Sequence, residues 1–447
     1  MILDGRTMLP SVSEIAEQVR GGHLRATEII DRALGVIAAK DRAINAFTTV
    51  TAERARQRAK EIDAVVGSGG NPGILAGVPF AAKDLFDIEG IVTLAGSRVL
   101  ASKSPATKDA SAVQALEQAG AILVGALNME EFAYGFLTDN AHYGRTRNPH
   151  NLERTAGGSS GGTGAAVAAG MVPLALGTDT NGSIRIPASF CGAVGMKPTF
   201  GRVSRAGMIP LAPSQDHVGW IGSCVSDVAL AWRALSGEDP SIDDNRTPVV
   251  GLADGYFAER MSDDVRLALK IACDQFREHR MVKIPVPDTA RAAAYAITSS
   301  EASALRLEDL RRHPELFDPS TRYRFLAGAL LPAAWYIKAK QFQAWFRTQL
   351  EKLFDEVDLL LLPASPFVAP RFGEEVIELD GSSYPVRPTI GRFTQPISSV
   401  GFPIICLPIA GASPLPIGVQ LVGRPNSEHL LLATALKLER ALATSSR

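Results

Sequence analysis

TAGGSSGGTGAAVAAGMVPLALGTDTNGSIRIPASFC, running from Thr155 to Cys191, holds two serine-bearing, glycine-rich turns joined by a stretch of small residues, and its first charged side chain is Asp179. Glycine alone tolerates tight and left-handed turns freely, so this composition brings backbone close to something. A flexible surface linker would use the same glycines and serines, but Ala165 to Ala169 and Leu174 to Leu176 are apolar. A membrane span fails too, because glycines, serines, threonines and Pro173 interrupt what should be about twenty strongly apolar residues. The segment reads as a turn, a short buried helix from about Thr163, a strand from about Val172 and a second turn over Asp179 to Ser183.

The 447-residue chain is 46% hydrophobic and carries 46 basic against 47 acidic side chains. Such a chain can bury a large core, and near-zero net charge argues against a surface built to coat nucleic acid or an anionic membrane. Cys191, Cys224, Cys273 and Cys406 show no CxxC spacing and no histidine at metal-ligand spacing, which points to a reducing compartment without zinc or a disulfide framework. The N-terminus lacks a basic patch followed by an apolar run, so the cytoplasm is the expected location.

Along the chain, Ser11 with Glu14 forms a capping box and Thr27 caps a second helix. Ile44 to Val50 reads as a strand and Ala52 to Val65 as a helix. Lys83 ends the apolar run GVPFAAKD beside Asp84; a strand-end salt bridge is expected there, since lysine is rarely buried unpaired. Asp109 is expected to cap a helix to about Ala119, and Asn128 to cap another through NMEEF. Alternating strands and helices imply a sheet covered by helices. Glu238 to Thr247 is polar and turn-rich, the expected site of a variable insertion. Helices are expected over Asp263 to His279, Thr289 to Leu310 and Leu331 to Phe354, with a strand at Val282 to Val286. Strands at Asp358 to Pro363, Ile404 to Ile409 and Gly418 to Val422, then a helix over Ser427 to Ala443, close the chain.

Three chemistries compete for the serine turns. Gly157 to Gly161 satisfies G-x-S-x-G, the elbow of an α/β-hydrolase, but no downstream histidine lies in a loop prepared for catalysis. A phosphate loop fails because neither turn is followed by Gly-Lys-Ser/Thr. A lysine held neutral by burial is the third option, serving as base for a serine without any histidine.

GVPFAAKD with Lys83, AGGSSGG with Ser159 and GTDTNGSIRIPA with Ser183 resemble, in order, the three motifs of the amidase signature family, with the serines 24 positions apart. The likeness continues through NMEEFAYG, RTRNPHN, CGAVGMKPTFGRVSR and LPIGVQLVGRP, from about Gly77 to Pro425. It implies an α/β fold: one large domain with a central mixed sheet covered by helices on both faces. Within it, residues 1–66 would be an N-terminal helical part, 77–225 the catalytic core, 238–357 a variable helical region, and 358–447 strands and a helix returning to the core.

The resemblance further implies Ser183 as nucleophile, Ser159 on a cis peptide with Gly158 as the bridging serine, and Lys83 as base. Backbone N–H groups around Thr180, Asn181 and Gly182 would form an oxyanion hole, and Ser160, Asp179 and Arg185 would support the turn. Asn181 stands where many members have a second glycine; asparagine accepts positive φ more readily than most residues, so the turn can survive. The implied substrate is a small amide; within the family the chain resembles enzymes of planar, carboxylated ureides that release ammonia, and also the amidase subunits of tRNA amidotransferases. Tyr134, Phe136, Gly158 and Ile186 are candidates to line the pocket, and Arg145, Arg147, Arg205 and Arg392 to hold a carboxylate. Relatives of this kind imply a small helical accessory subunit, with self-association as the alternative. No metal, nucleotide or flavin cofactor is implied by any residue, nor direct binding to nucleic acid or membrane.

Overall fold

The computed structural model describes residues 9–239 and 247–445. Most of the expected insertion Glu238 to Thr247 lies outside them. One mixed sheet of eleven strands organises the described residues, flanked by helices. In chain order the strands are β1 (Phe47–Val50), β2 (Pro79–Lys83), β3 (Ile122–Leu127), β4 (Leu174–Asp179), β5 (Val194–Lys197), β6 (His217–Gly222), β7 (Val250–Ala253), β8 (His279–Val282), β9 (Leu359–Pro363), β10 (Ile404–Pro408) and β11 (Gly418–Gly423). They lie side by side as β1-β3-β2-β4-β6-β5-β10-β11-β9-β7-β8.

The central strands PFAAK, ILVGAL, LALGTD and LLLLP are buried throughout. Near-continuous apolar runs of this kind fit strands covered on both faces. The edge strand β8 instead exposes His279, Arg280 and Met281; charge there discourages pairing with another chain. Strands β2 and β4 run parallel as neighbours, so their last residues, Lys83 and Asp179, emerge at the same edge of the sheet. Grooves beyond the carboxyl ends of parallel strands are where α/β folds place ligands.

Four helices frame that edge, α1 (Gly161–Ala168), α2 (Arg185–Cys191), α3 (Pro287–Arg312) and α4 (Pro319–Ala329), and a fifth, α5 (Ala333–Leu353), packs against α3. The capping box of Ser11 and Glu14 is present. Several expected caps are not. Asp63 on a neighbouring helix, rather than Thr27, accepts the N–H groups of Ala26 and Thr27. Asp109 pairs with Arg54 at 2.5 Å, outside the helix Ser111–Gln118. NMEEF forms only a 3-10 turn, Glu131–Ala133, because Phe132 and Ala133 take positive φ of 48° and 61°. The helix expected to reach His279 stops at Cys273, and the strand that follows is β8, earlier than Val282 to Val286.

Candidate active site

Lys83 is fully buried and forms no salt bridge with Asp84; the expected pairing is overturned. The two side chains part at the strand end: Asp84 accepts the Thr48 hydroxyl at 2.9 Å, and burial pushes its carboxyl up to about 7. Lys83 Nζ instead meets three hydroxyls, Ser159 Oγ at 2.7 Å, Ser160 Oγ at 2.9 Å and Thr178 Oγ1 at 2.9 Å. Burial pushes the amine down to about 7, against the opposing pull of Asp216, Asp179 and Glu130. Ser160 donates its own proton to the carbonyl of Thr178 at 3.1 Å. Ser160 therefore accepts an N–H from Lys83, which leaves Ser159 and Thr178 as the hydroxyls able to face the lone pair of a neutral amine.

The first glycine-rich turn places Ser159 at the mouth of α1, and the Gly158–Ser159 peptide is cis, as the resemblance implies. The second turn links β4 to α2. Asp179, its anchor, accepts the N–H groups of Gly182 at 2.8 Å and Ile184 at 3.2 Å, and takes a two-pronged contact from Arg185 Nε and Nη2, both 2.9 Å. Burial by itself would raise this carboxyl; the Arg185 guanidinium holds it well below the usual carboxylate range. Arg185 is itself fully buried and bonds Gln420 and Ser398.

Positive φ falls on Gly182 (132°) rather than on Asn181. A Cβ on Gly182 would lie 2.3 Å from Thr394 Oγ1. Asn181 is anchored differently: its Nδ2–H donates to Thr298 Oγ1 at 2.9 Å. Of the expected oxyanion donors, Gly182 N–H is thus already engaged by Asp179.

Ser183 opens onto a cavity of about 530 Å³ whose wall also includes Thr180, Asn181, Tyr134, Phe136, Tyr295 and Thr298. Its charged lining is Arg291, Arg324, Arg387 and Asp288, a net positive field suited to an anion. Arg324 reaches the Tyr134 carbonyl and lies 5.7 Å from the centre of its ring. Arg291 is braced by Gln395 Oε1 at 2.8 Å and the Pro388 carbonyl, while Arg387 faces Asp139 at 3.7 Å.

The structure separates the remaining candidates from this cavity. Gly158 packs against the backbone of Phe136 and Leu137. Ile186 belongs to an apolar cluster with Phe190 and Ile390. Arg145 pairs with Asp139 at 2.7 Å, Arg147 meets the Leu152 carbonyl, Arg205 stacks over Phe200, and Arg392 is buried over Tyr256. None of the four arginines lines it. The three that do sit on helices α3 and α4 and beside Pro388, where an arginine reads as ordinary helix surface. Among the described residues no group of three or more His, Cys, Asp or Glu side chains is arranged to hold a metal ion, and no helix is long and apolar enough to cross a membrane.

The mixed sheet thus carries a buried lysine and two serines at its carboxyl edge, an arrangement of the kind the three sequence motifs imply. The chain belongs to the amidase family, whose model matches residues 28–432. It is 45% identical to the AtzE component of 1-carboxybiuret hydrolase from Pseudomonas sp. (strain ADP) over 95% of this chain and 97% of that one. It is 38% identical to a component of the glutamyl-tRNA(Gln) amidotransferase of Moorella thermoacetica over 92% of each. A solved structure described as an unexpected vestigial protein complex that reveals the evolutionary origins of an s-triazine catabolic enzyme matches with a TM-score of 0.92 and 44% identity over 97% of this chain and 98% of that one. The protein is an amide hydrolase.

Proposed function

We propose that the protein hydrolyses a small, carboxylated, ureide-type amide and releases ammonia through Ser183, Ser159 and Lys83. The observation that carries this reading is the buried Lys83 amine, bonded only to hydroxyls and pushed down to about 7 beside Ser159. As Ser183 Oγ bonds to the amide carbon, its proton passes to Ser159 and the Ser159 proton to Lys83. The N–H groups of Thr180, Asn181 and Ser183 receive the developing oxyanion, since Gly182 is committed elsewhere. The C–N bond then breaks, the relay returns a proton to the departing nitrogen, and water hydrolyses the acyl-enzyme. Arg324 and Arg291 are the proposed carboxylate partners.

A glutamine-hydrolysing component of an amidotransferase is the second reading, supported by the 38% identity to such a chain. A protein partner in the cytoplasm, a small helical accessory chain, belongs to the same proposal, supported by the complex described for the s-triazine relative. Ammonia release is measured against biuret, allophanate, oxalurate, 1-carboxybiuret and glutamine, with Ser183→Ala and Lys83→Ala alongside. Release from a carboxylated ureide that vanishes in both variants supports the proposal. Turnover of glutamine alone favours the second reading, and activity surviving in Ser183→Ala overturns the triad.

A further inference from the structure

Thr180 and Asn181, in the turn before Ser183, are tied into one hydrogen-bonded ring. Thr180 Oγ1 donates to Asp216 Oδ1 at 2.7 Å. Asn181 Nδ2 donates to Thr298 Oγ1 at 2.9 Å, and Thr298 passes its own proton to Gln215 Oε1 at 2.7 Å. Gln215 and Asp216 are adjacent, so the ring runs from the nucleophile turn through helix α3 and back. All five side chains are buried. The loop is fastened to α3 a second time, where Glu301 accepts the N–H and hydroxyl of Ser214. A glycine at 181 would remove the turn's direct bond to α3.

We infer that Asn181 and Thr298 are positioning residues that hold the Ser183 hydroxyl in attack geometry by clamping its turn to the helix that lines the cavity. This rests on the reading of Ser183 as nucleophile. Misplacement of a reacting atom by about 1 Å can cost roughly 100-fold in rate, which three linked hydrogen bonds are well placed to prevent.

The test uses phenylmethylsulfonyl fluoride on the full chain, so no substrate need be known. Ser183 Oγ forms a bond to sulfur, fluoride leaves with the S–F electron pair, and the serine proton goes to Lys83 through Ser159. The maximal inactivation rate and the half-saturating concentration are measured separately, and the adduct is located by mass spectrometry. Asn181→Gly and Thr298→Val are expected to lower the maximal rate roughly tenfold each, within the range of such misplacement. Half-saturation should stay in place, and Thr298→Ser should recover the rate. Because both side chains belong to one ring, the double variant should fall no further than the lower single one. Unchanged rates, effects that multiply, or a change confined to half-saturation would overturn the inference while leaving Ser183 as nucleophile. An adduct on another residue would overturn both.

Discussion

Lys83 Nζ and Thr178 Oγ1 stand 2.9 Å apart on neighbouring parallel strands. The amine is thereby fixed to the sheet, and in the proposed relay its protonation state decides whether Ser159 can pass on a proton. Because burial pushes Lys83 down to about 7, kcat/KM should rise with pH through an apparent pKa near 7 and level off above it. A profile flat from pH 5 to 9 would remove Lys83 as base.

The same group makes a stability statement. Unfolded lysine titrates near 10.4 and the folded one near 7, so between these values folding expels a proton and raising pH stabilises the native state. The penalty is full below pH 7 and fades toward 10.4. The melting temperature of Lys83→Met relative to the parent should therefore be most favourable at pH 6 and decline steadily toward pH 10. A pH-independent difference would contradict the shift.

Asp179 and Arg185 are both fully buried at 2.9 Å. Removing one member of such a pair strands the other, at a cost of about 3–5 kcal/mol. Arg185→Met should lower the melting temperature sharply and abolish turnover, since Asp179 organises the Gly182 and Ile184 amides. A parent-like melting curve would mean the pair is dispensable.

Gly182→Ala would force an L side chain to a φ of 132° and press its Cβ toward Thr394. Strained conformations of this kind cost about 1–3 kcal/mol before the clash is counted. Loss of both activity and stability is expected from calorimetry and rate measurements together.

Arg324→Met should raise KM for a carboxylated ureide roughly tenfold or more, about 1.4 kcal/mol per decade, and leave a neutral amide little affected. Equal losses on both substrates would assign Arg324 to holding the Tyr134 carbonyl rather than to recognising charge.

What could be read from sequence follows how local the physics is. The two glycine-rich turns and Lys83 announce themselves, because tight backbone needs glycine wherever it occurs. The expected Lys83–Asp84 pair failed for a tertiary reason: Thr48 takes Asp84, while serines from a distant turn take Lys83. Asn128 resembled a helix cap, but its Oδ1 accepts the Met129 N–H at 2.8 Å and its Nδ2 donates to the Gly144 and Asn45 carbonyls, before the chain turns through positive φ. Arg291 and Arg324 were invisible as pocket residues, because which face of α3 and α4 meets the cavity is decided by packing between helices. Arg392 erred in the opposite direction: a carboxylate candidate in sequence, it is buried against Tyr256 and does not line the cavity.

The cavity takes Ser183 from the turn after β4, and its charged wall from α3, α4 and the segment around Arg387. These are separate stretches of chain. Evolution can therefore redraw what enters by exchanging a few helical side chains, one at a time, while inheriting the serine-bearing turn unchanged.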